Sequence, residues 1–280
     1  MKRDVYKVLG ECLVFTLAFA ILLGFVVACS DSDDKDIAGG TSVDAGVVAI
    51  TDKQIAGVAQ KGPFVKGSSV VLKETSATGN LKPTGKEFFA TTRSDSGDFV
   101  IEGLNLESQY VRLTATGYYK REYTGENSEC QIRLNALSDV SEEDRVNINI
   151  FTHMEYARIL KLVEKGMHFR EAKQQAHADL EKNLGNVALR AFESLDVEGN
   201  EEDDEMLKDF SSIIDGCADL DDIDIPSDKR CSVGQDFVDA FANSFGSSGK
   251  ITNRLKVKGY PEHALTFCRL AIEDLLRSKY

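Results

Sequence analysis

The feature that most restricts the fold of this chain is a change in hydrophobic periodicity near residue 150. Before that point, short β-branched segments alternate apolar and polar residues. In YVRLTATG, for example, Val111, Leu113 and Ala115 share one face. After it, apolar residues recur at the three- and four-residue spacing of a helix. We therefore expect an α+β chain, with an N-terminal antiparallel β-sandwich over residues 54–150 and an all-helical C-terminal domain over residues 151–280.

Eight segments of the first region fit short strands separated by Gly, Asn, Asp and Ser clusters. They are IAGVAQ, SSVVLKE, EFFATT, DFVIEG, YVRLTATG, YYKREYT, CQIRLNAL and RVNINIF. In RVNINIF, aliphatic residues alternate with Asn147 and Asn149. This alternation predicts one buried face and one solvated face, as in a half-buried antiparallel sheet.

Four helices are predicted in the second region. The first begins with a capping box of Thr152 and Glu155 and ends at Gly166. The second, FREAKQQAHADLEKNLG, ends at Gly185. Its apolar face consists of Phe169, Ala172, Ala176 and Leu180. Two further helices are expected around DFVDAFANSF and EHALTFCRLAIEDLLRSK.

The N-terminus has the organisation of a bacterial export signal. Three basic residues precede an apolar run over residues 13–28, which is too short to span a bilayer comfortably. The run ends in Val-Val-Ala-Cys, which resembles the lipobox of bacterial lipoproteins. The resemblance implies that residues 1–28 are a removed signal peptide and that Cys29 carries the lipid anchor, including palmitate. The alternative is an uncleaved membrane helix with an inert Cys29.

Residues 29–53 are expected to form a disordered acidic tether, because SDSDDKD and GGTS offer little apolar area to bury. By resemblance to Gram-negative lipoprotein sorting signals, Ser30 after the cysteine favours the outer membrane. The acidic cluster also resembles an export tag for the outer face of the cell. It is equally compatible with a run of charge that only solvates a linker.

Charge and cysteine content narrow the functional classes. A net charge of −13 repels phosphate backbones, which argues against nucleic acid as a partner.

Cys217 and Cys231 enclose a short loop, so we expect them to form one disulfide, and Cys130 with Cys268 a second. Buried free thiols are the alternative. The spacings include no CxxC pair, so no structural zinc site is predicted.

A family resemblance runs through the strand region. GVA, GPFVKGSSVVL, SDSGDFVI, YVRL and GY stand at the positions of these motifs in carboxypeptidase regulatory-like, prealbumin-like domains. Over residues 54–185 the chain is also similar to uncharacterised lipoproteins of fibre-digesting bacteria. The resemblance implies a stable, non-catalytic accessory module of the kind involved in adhesion or carbohydrate contact.

Candidate ligand contacts are the aromatics of GYYKREYTGE. Alternation places Tyr119 and Tyr123 on one side, where their rings could stack on sugars. Tyrosines packed at a sheet edge are the alternative interpretation. The acidic stretches DVEGNEEDDEMLKDF and CADLDDIDIPSD lack the ligand spacing of an EF-hand, so no metal or cofactor is predicted.

No catalytic motif stands out. The chain has no HExxH, no complete phosphate loop and no G-x-S-x-G elbow. We therefore expect no enzyme, but a lipid-anchored binding or structural module at the cell surface that contacts polysaccharide or another envelope protein. A glycoside-active enzyme, or an accessory subunit of one, is the alternative, because two acids could meet in any fold.

Overall fold

The structure of the protein is a computed structural model that describes residues 46–76, 80–122, 124–218 and 227–251. The chain divides into two units, residues 1–35 and 36–280, and every described residue belongs to the second. Several predicted features lie outside the described residues. They are the signal peptide, Cys29, most of the tether, Tyr123, Cys268, the side chain of Cys217 and the last predicted helix.

Six antiparallel strands form two sheets in the N-terminal half of the described chain. The strands are β1 (Ile50–Val58), β2 (Ser69–Thr75), β3 (Pro83–Thr91), β4 (Asp98–Leu106), β5 (Tyr110–Gly117) and β6 (Ile132–Asp139). β1 pairs with β4 in a two-stranded sheet, and the other four form a sheet in the order β3, β2, β5, β6. The predicted alternation of β5 is confirmed, since Val111, Leu113 and Ala115 are fully buried.

In the described ranges, four α-helices follow the strands. They are α1 (Ile150–Glu164), α2 (Phe169–Asn183), α3 (Glu202–Ala218) and α4 (Ser227–Ser248), with a short 3₁₀ helix, Phe192–Ser194, between α2 and α3. The predicted helices FREAKQQAHADLEKNLG and DFVDAFANSF are confirmed as α2 and as part of α4. Among the described helices, none combines the length and the apolar character that crossing a membrane requires.

The expected architecture, a β-sandwich followed by an all-helical domain, is wrong. The fold is a mixed α+β one, in which two small sheets and the helices share one large hydrophobic core. Leu72 and Leu113 of the larger sheet belong to the same buried cluster as Phe151 of α1, Phe210 of α3 and Phe241 of α4. The boundary expected near residue 150 therefore falls inside a continuous core.

Two segments predicted as strands form no regular strand in the described residues. The described part of YYKREYT contributes isolated bridges at Tyr119 and Lys120, and RVNINIF contributes isolated parallel bridges at Arg145 and Ile148. In RVNINIF the predicted solvated face is buried, because Asn147 accepts a hydrogen bond from the Val58 amide and donates one to the Leu195 carbonyl. The segment also forms backbone hydrogen bonds with the end of β1, such as that from the Ile148 amide to the Val58 carbonyl at 2.8 Å.

The start of α1 also differs from the prediction. Its N-cap is Asn149, whose side chain accepts from the Thr152 amide at 2.9 Å, while the Thr152 hydroxyl accepts from the Asn149 amide at 2.9 Å. This reciprocal pair is a capping box one turn earlier than expected. Glu155, the residue predicted to complete the box, is instead buried.

The disulfide pairing differs as well. Cys130, just before β6, bonds to Cys231 in α4, 101 residues away, with 5.1 Å between the Cα atoms. Pairing of Cys231 with Cys217, and of Cys130 with Cys268, is therefore wrong. The reason is the docking of α4 on the start of β6, where Gln235 exchanges hydrogen bonds with the Arg133 backbone. Loop length alone does not reveal that contact.

Candidate functional site

The most exposed aromatic side chain among the described residues lies on the outer face of the four-stranded sheet. Every second side chain of β2 and β5, such as Val70 and Leu113, points into the core. The side chains between them form the outer face of the sheet. There the strand register aligns Phe89, Val71, Thr114 and Asn135 in one row across β3, β2, β5 and β6.

Helix α1 covers the β6 side of this outer face. The Asn135 amide donates to His153 Nδ1 at 3.2 Å, and the Arg112 guanidinium lies 4.8 Å from the centre of the Tyr156 ring. A second apolar cluster, which includes Leu137 of β6 and Ile159 of α1, fills the space beneath the helix. The half of the sheet formed by β2 and β3 is not covered by any part of the chain that the structure describes.

We call this uncovered half the Phe89 face, and it consists of Ser69, Val71, Lys73, Glu87, Phe89 and Thr91. The Phe89 side chain is 71% exposed, whereas its neighbour Phe88 packs against the core. Beside the ring, Lys73 Nζ and Glu87 Oε1 are 2.5 Å apart, in a half-exposed ion pair. An aromatic ring surrounded by donors and acceptors offers both stacking and hydrogen bonds to a ligand.

Tyr119, a predicted ligand contact, is not available to solvent. It is only 6% exposed, and its hydroxyl donates to Asp215 Oδ1 at 2.7 Å. Burial, together with the Asp215 carboxylate, raises the pKa of Tyr119 well above its ordinary value. The prediction that this ring stacks on a sugar is therefore wrong. Its neighbour Tyr118, directly after β5, is 41% exposed.

Tyr119 belongs to an ion cluster that we call the Lys61 cluster, which consists of Lys61, Tyr119, Arg121, Glu122 and Asp215. Lys61 Nζ donates to Glu122 Oε1 at 3.1 Å and to the Ser211 carbonyl at 2.7 Å, and it lies 3.7 Å from Asp215 Oδ1. Arg121 Nε donates to Asp215 Oδ2 at 3.0 Å. Burial raises the pKa of Asp215, but the neighbouring cations and the Tyr119 hydroxyl outweigh it, so the net pKa is lowered. The positive charges of Lys61 and Arg121 thus balance the negative charges of Glu122 and Asp215.

A second cluster, which we call the Lys173 cluster, consists of Glu155 of α1, Lys173 of α2 and Glu193 of the 3₁₀ helix. All three side chains are almost completely buried. Lys173 Nζ donates to Glu155 Oε2 at 2.8 Å and to the Leu137 carbonyl at 3.2 Å, and it contacts Glu193 Oε1 directly. Within the described part of the chain, one oxygen of each glutamate, Glu155 Oε1 and Glu193 Oε2, has no hydrogen-bond partner.

Burial and the neighbouring charges both set the proton affinities in the Lys173 cluster. Burial, together with the nearby Glu193, raises the pKa of Glu155 to about 8 in spite of the opposing effect of Lys173. Burial lowers the pKa of Lys173, but the two glutamates outweigh it and the net pKa is raised. The two carboxyl groups face each other in the core and not in a groove, so they lack the access that glycoside hydrolysis requires.

The acidic stretch after Leu195 is engaged in internal contacts. Arg190 forms a two-pronged ion pair with Asp203 and also reaches Asp204 Oδ1 at 2.9 Å. Gln60 donates to Asp196 Oδ1 at 2.7 Å. Within the described ranges, no group of three or more His, Cys, Asp or Glu residues is placed to hold a metal ion.

Sequence reasoning missed Phe89 and the Lys173 cluster, although both leave a signal. In EFFATT, the pleat allows only one of the two phenylalanines to face the core. Lys173 lies between Ala172 and Ala176 on the apolar face of its helix. A lysine or glutamate in such a position must find a buried partner, although the sequence does not say which.

The comparisons with known proteins leave the chain without an assigned family. The resemblance to carboxypeptidase regulatory-like domains therefore rests on sequence motifs alone. No protein-family model, no curated protein and no solved structure matches this chain.

Proposed function

We propose that the protein is a lipid-anchored, non-catalytic binding module of the bacterial outer membrane that contacts extracellular polysaccharide through the Phe89 face. The observation that carries this proposal is the 71% exposure of Phe89 on a sheet surface that the described residues leave uncovered. An exposed aromatic ring gives a ligand an apolar face on which to stack.

The composition of the face favours a sugar over a protein partner. A stable protein interface buries roughly 1,200–2,000 Å² around an apolar centre. The Phe89 face instead has a single aromatic ring, with the half-exposed Lys73 and Glu87 beside it. Sugar rings present C–H groups on one face and hydroxyls at the rim, which suits such a mixture. The net charge of −13 favours a neutral polysaccharide over an acidic one.

The anchor follows from the N-terminal motif. Cys29 provides the thiol that takes a diacylglycerol group as a thioether, and two or more acyl chains hold a protein stably on a membrane. The acidic tether of residues 29–53 then separates the folded unit from the bilayer. Under this proposal the Phe89 face reaches polymers outside the cell.

Retention on insoluble cellulose and xylan tests the binding proposal. A soluble form starting after Cys29 is expected to be retained, and Phe89→Ala to weaken retention about tenfold, since stacking contributes about 1 kcal/mol or more. Val47→Ala is the matched control, because Val47 is 57% exposed before β1, off the Phe89 face. Equal retention of wild type and Phe89→Ala, or no retention of either, would contradict the proposal.

Labelled palmitate tests the anchor. Wild-type protein expressed in a Gram-negative host is expected to incorporate the label, and Cys29→Ser is expected to lose it. Cys12→Ser, which changes the other cysteine of the N-terminal segment, is expected to keep it. Label that persists in Cys29→Ser would rule out this attachment point.

A further inference from the structure

The Lys173 cluster is unusual because one ammonium contacts two carboxyl groups in a site closed to solvent. Among the described residues, one oxygen of each carboxyl group has no hydrogen-bond partner. The Lys61 cluster, in contrast, pairs two cations with two carboxylates. A buried ion cluster is costly, since the desolvation of each ion must be recovered by its neighbours.

We propose that Lys173 and Glu193 react with each other to form an intramolecular amide bond, with Glu155 as the proton carrier. The inference is independent of the polysaccharide proposal. It rests on the direct contact between Lys173 Nζ and Glu193 Oε1, the second contact of 2.8 Å to Glu155 Oε2, and the complete burial of all three groups.

The reaction needs no co-reactant. A proton moves from the Lys173 ammonium to the Glu193 carboxylate, so that a neutral amine faces a neutral acid. The amine nitrogen attacks the Glu193 carboxyl carbon and forms the C–N bond. Glu155 accepts a proton from that nitrogen and donates one to the departing hydroxyl, so the C–O bond breaks and one water molecule leaves. Glu155 ends in the state in which it began, and no group is oxidised or reduced.

The site favours this reaction for three reasons. The fold holds nucleophile and acid in contact, which replaces a bimolecular encounter by an intramolecular one with a large effective concentration. Exclusion of water favours the amide over its hydrolysis, and it favours neutral products over buried ions. Glu155, held protonated by its surroundings, is suited to pass a proton, since its pKa of about 8 lies close to neutrality.

The bond would tie α2 to the 3₁₀ helix across 20 residues. It would form only in the folded chain, because the three groups come from α1, α2 and the 3₁₀ helix. Such a covalent link lowers the entropy of the unfolded state, as a disulfide does, but reductants do not break it.

Peptide mapping of the full chain tests the proposal. After reduction and denaturation, trypsin should not cut at an acylated Lys173. The digest should then contain peptide 171–182 joined to peptide 191–208, with a mass one water molecule below their sum. Fragmentation should place the junction on Lys173 and Glu193. A digest of folded protein with free peptides 174–182 and 191–208, and no joined species, would overturn the proposal.

Variants separate the roles within the cluster. Lys173→Arg should release the free peptides, whereas Lys61→Arg, which alters the balanced cluster, should leave the joined species in place. Glu155→Gln keeps the size of the side chain but cannot carry the proton, so a folded variant should show at least a tenfold smaller joined fraction. An unchanged fraction in Glu155→Gln would exclude Glu155 as the proton carrier. If Glu155→Gln does not fold, the wild-type digest alone decides.

Discussion

Glu155 illustrates how the role of a single residue depends on the neighbours that the fold supplies. In the sequence it follows Thr152 at the spacing of a capping box, but Asn149 takes that role. Glu155 instead enters the core and meets Lys173. The spacing of Thr152 and Glu155 indicates a helix start nearby, and the observed start lies one turn earlier. The buried partner could not be predicted, because α2 and α1 meet only in the folded chain.

The protonation of Glu155 predicts a specific pH dependence of stability. Its folded-state pKa is raised from 4.5 to about 8, so the folded state binds this proton more tightly than the unfolded state. The contribution is fully present below the unfolded-state pKa and is lost as the pH rises through about 8. Urea unfolding of wild type should therefore show decreasing stability over this range, and Glu155→Gln should show a flatter profile.

The control for this experiment is Glu87→Gln, which changes a half-exposed glutamate on the Phe89 face. Its pH profile should follow that of wild type. A Glu155→Gln profile as steep as that of wild type would mean that another group carries the pH dependence.

At the scale of elements, alternation and helical spacing predict which residues face the core, but alternation fails where polar side chains are buried in hydrogen bonds to other segments. β2 and β5 follow the rule, with core residues such as Leu72 and Leu113 at alternate positions. RVNINIF obeys the same alternation, yet Asn147 and Asn149 are buried and bond to backbone groups of other segments. Composition gives no signal for such long-range contacts.

Asn149 therefore has a predicted energetic role at the start of α1. Its side chain caps the Thr152 amide and also donates to the Phe192 carbonyl at 2.7 Å. Asn149→Ala removes the cap and leaves buried groups without partners, so we expect a loss of about 2–4 kcal/mol in the free energy of unfolding. Urea denaturation followed by circular dichroism measures it.

Asn243→Ala is the matched control, because Asn243 lies on the exposed side of α4. It should change stability by no more than about 0.5 kcal/mol. Equal effects of the two substitutions would argue against a special role for the cap.

At the scale of the whole molecule, the change in periodicity near residue 150 correctly marked a change from strands to helices but not a domain boundary. Strand residues such as Ile101 and helix residues such as Phe210 belong to one core. The disulfide between Cys130 and Cys231 joins the same two regions. Which apolar faces meet depends on the three-dimensional arrangement of the chain, so the sequence pattern predicts element types better than their assembly.

The disulfide predicts a further loss of stability when it is removed. Cys231→Ser should lower the free energy of unfolding by about 2–4 kcal/mol, because the unfolded chain gains freedom over a loop of 101 residues. Cys130→Ser should have a similar effect. The double variant should be no less stable than the less stable of the two single variants, because all three lack the same bond. With reductant present, wild type should approach the variants. Unchanged stability in Cys231→Ser would contradict a structural role for this bond.

The shared core has a consequence for how such a protein can arise and spread. If the chain were cut near residue 150, the strand half would expose Ile148 and Leu113, and the helical half Phe151 and Phe210. Neither fragment could cover this surface alone. A genome that acquires this architecture by recombination must therefore inherit both halves together, so we expect gene fusions to join it at its ends and not at its centre.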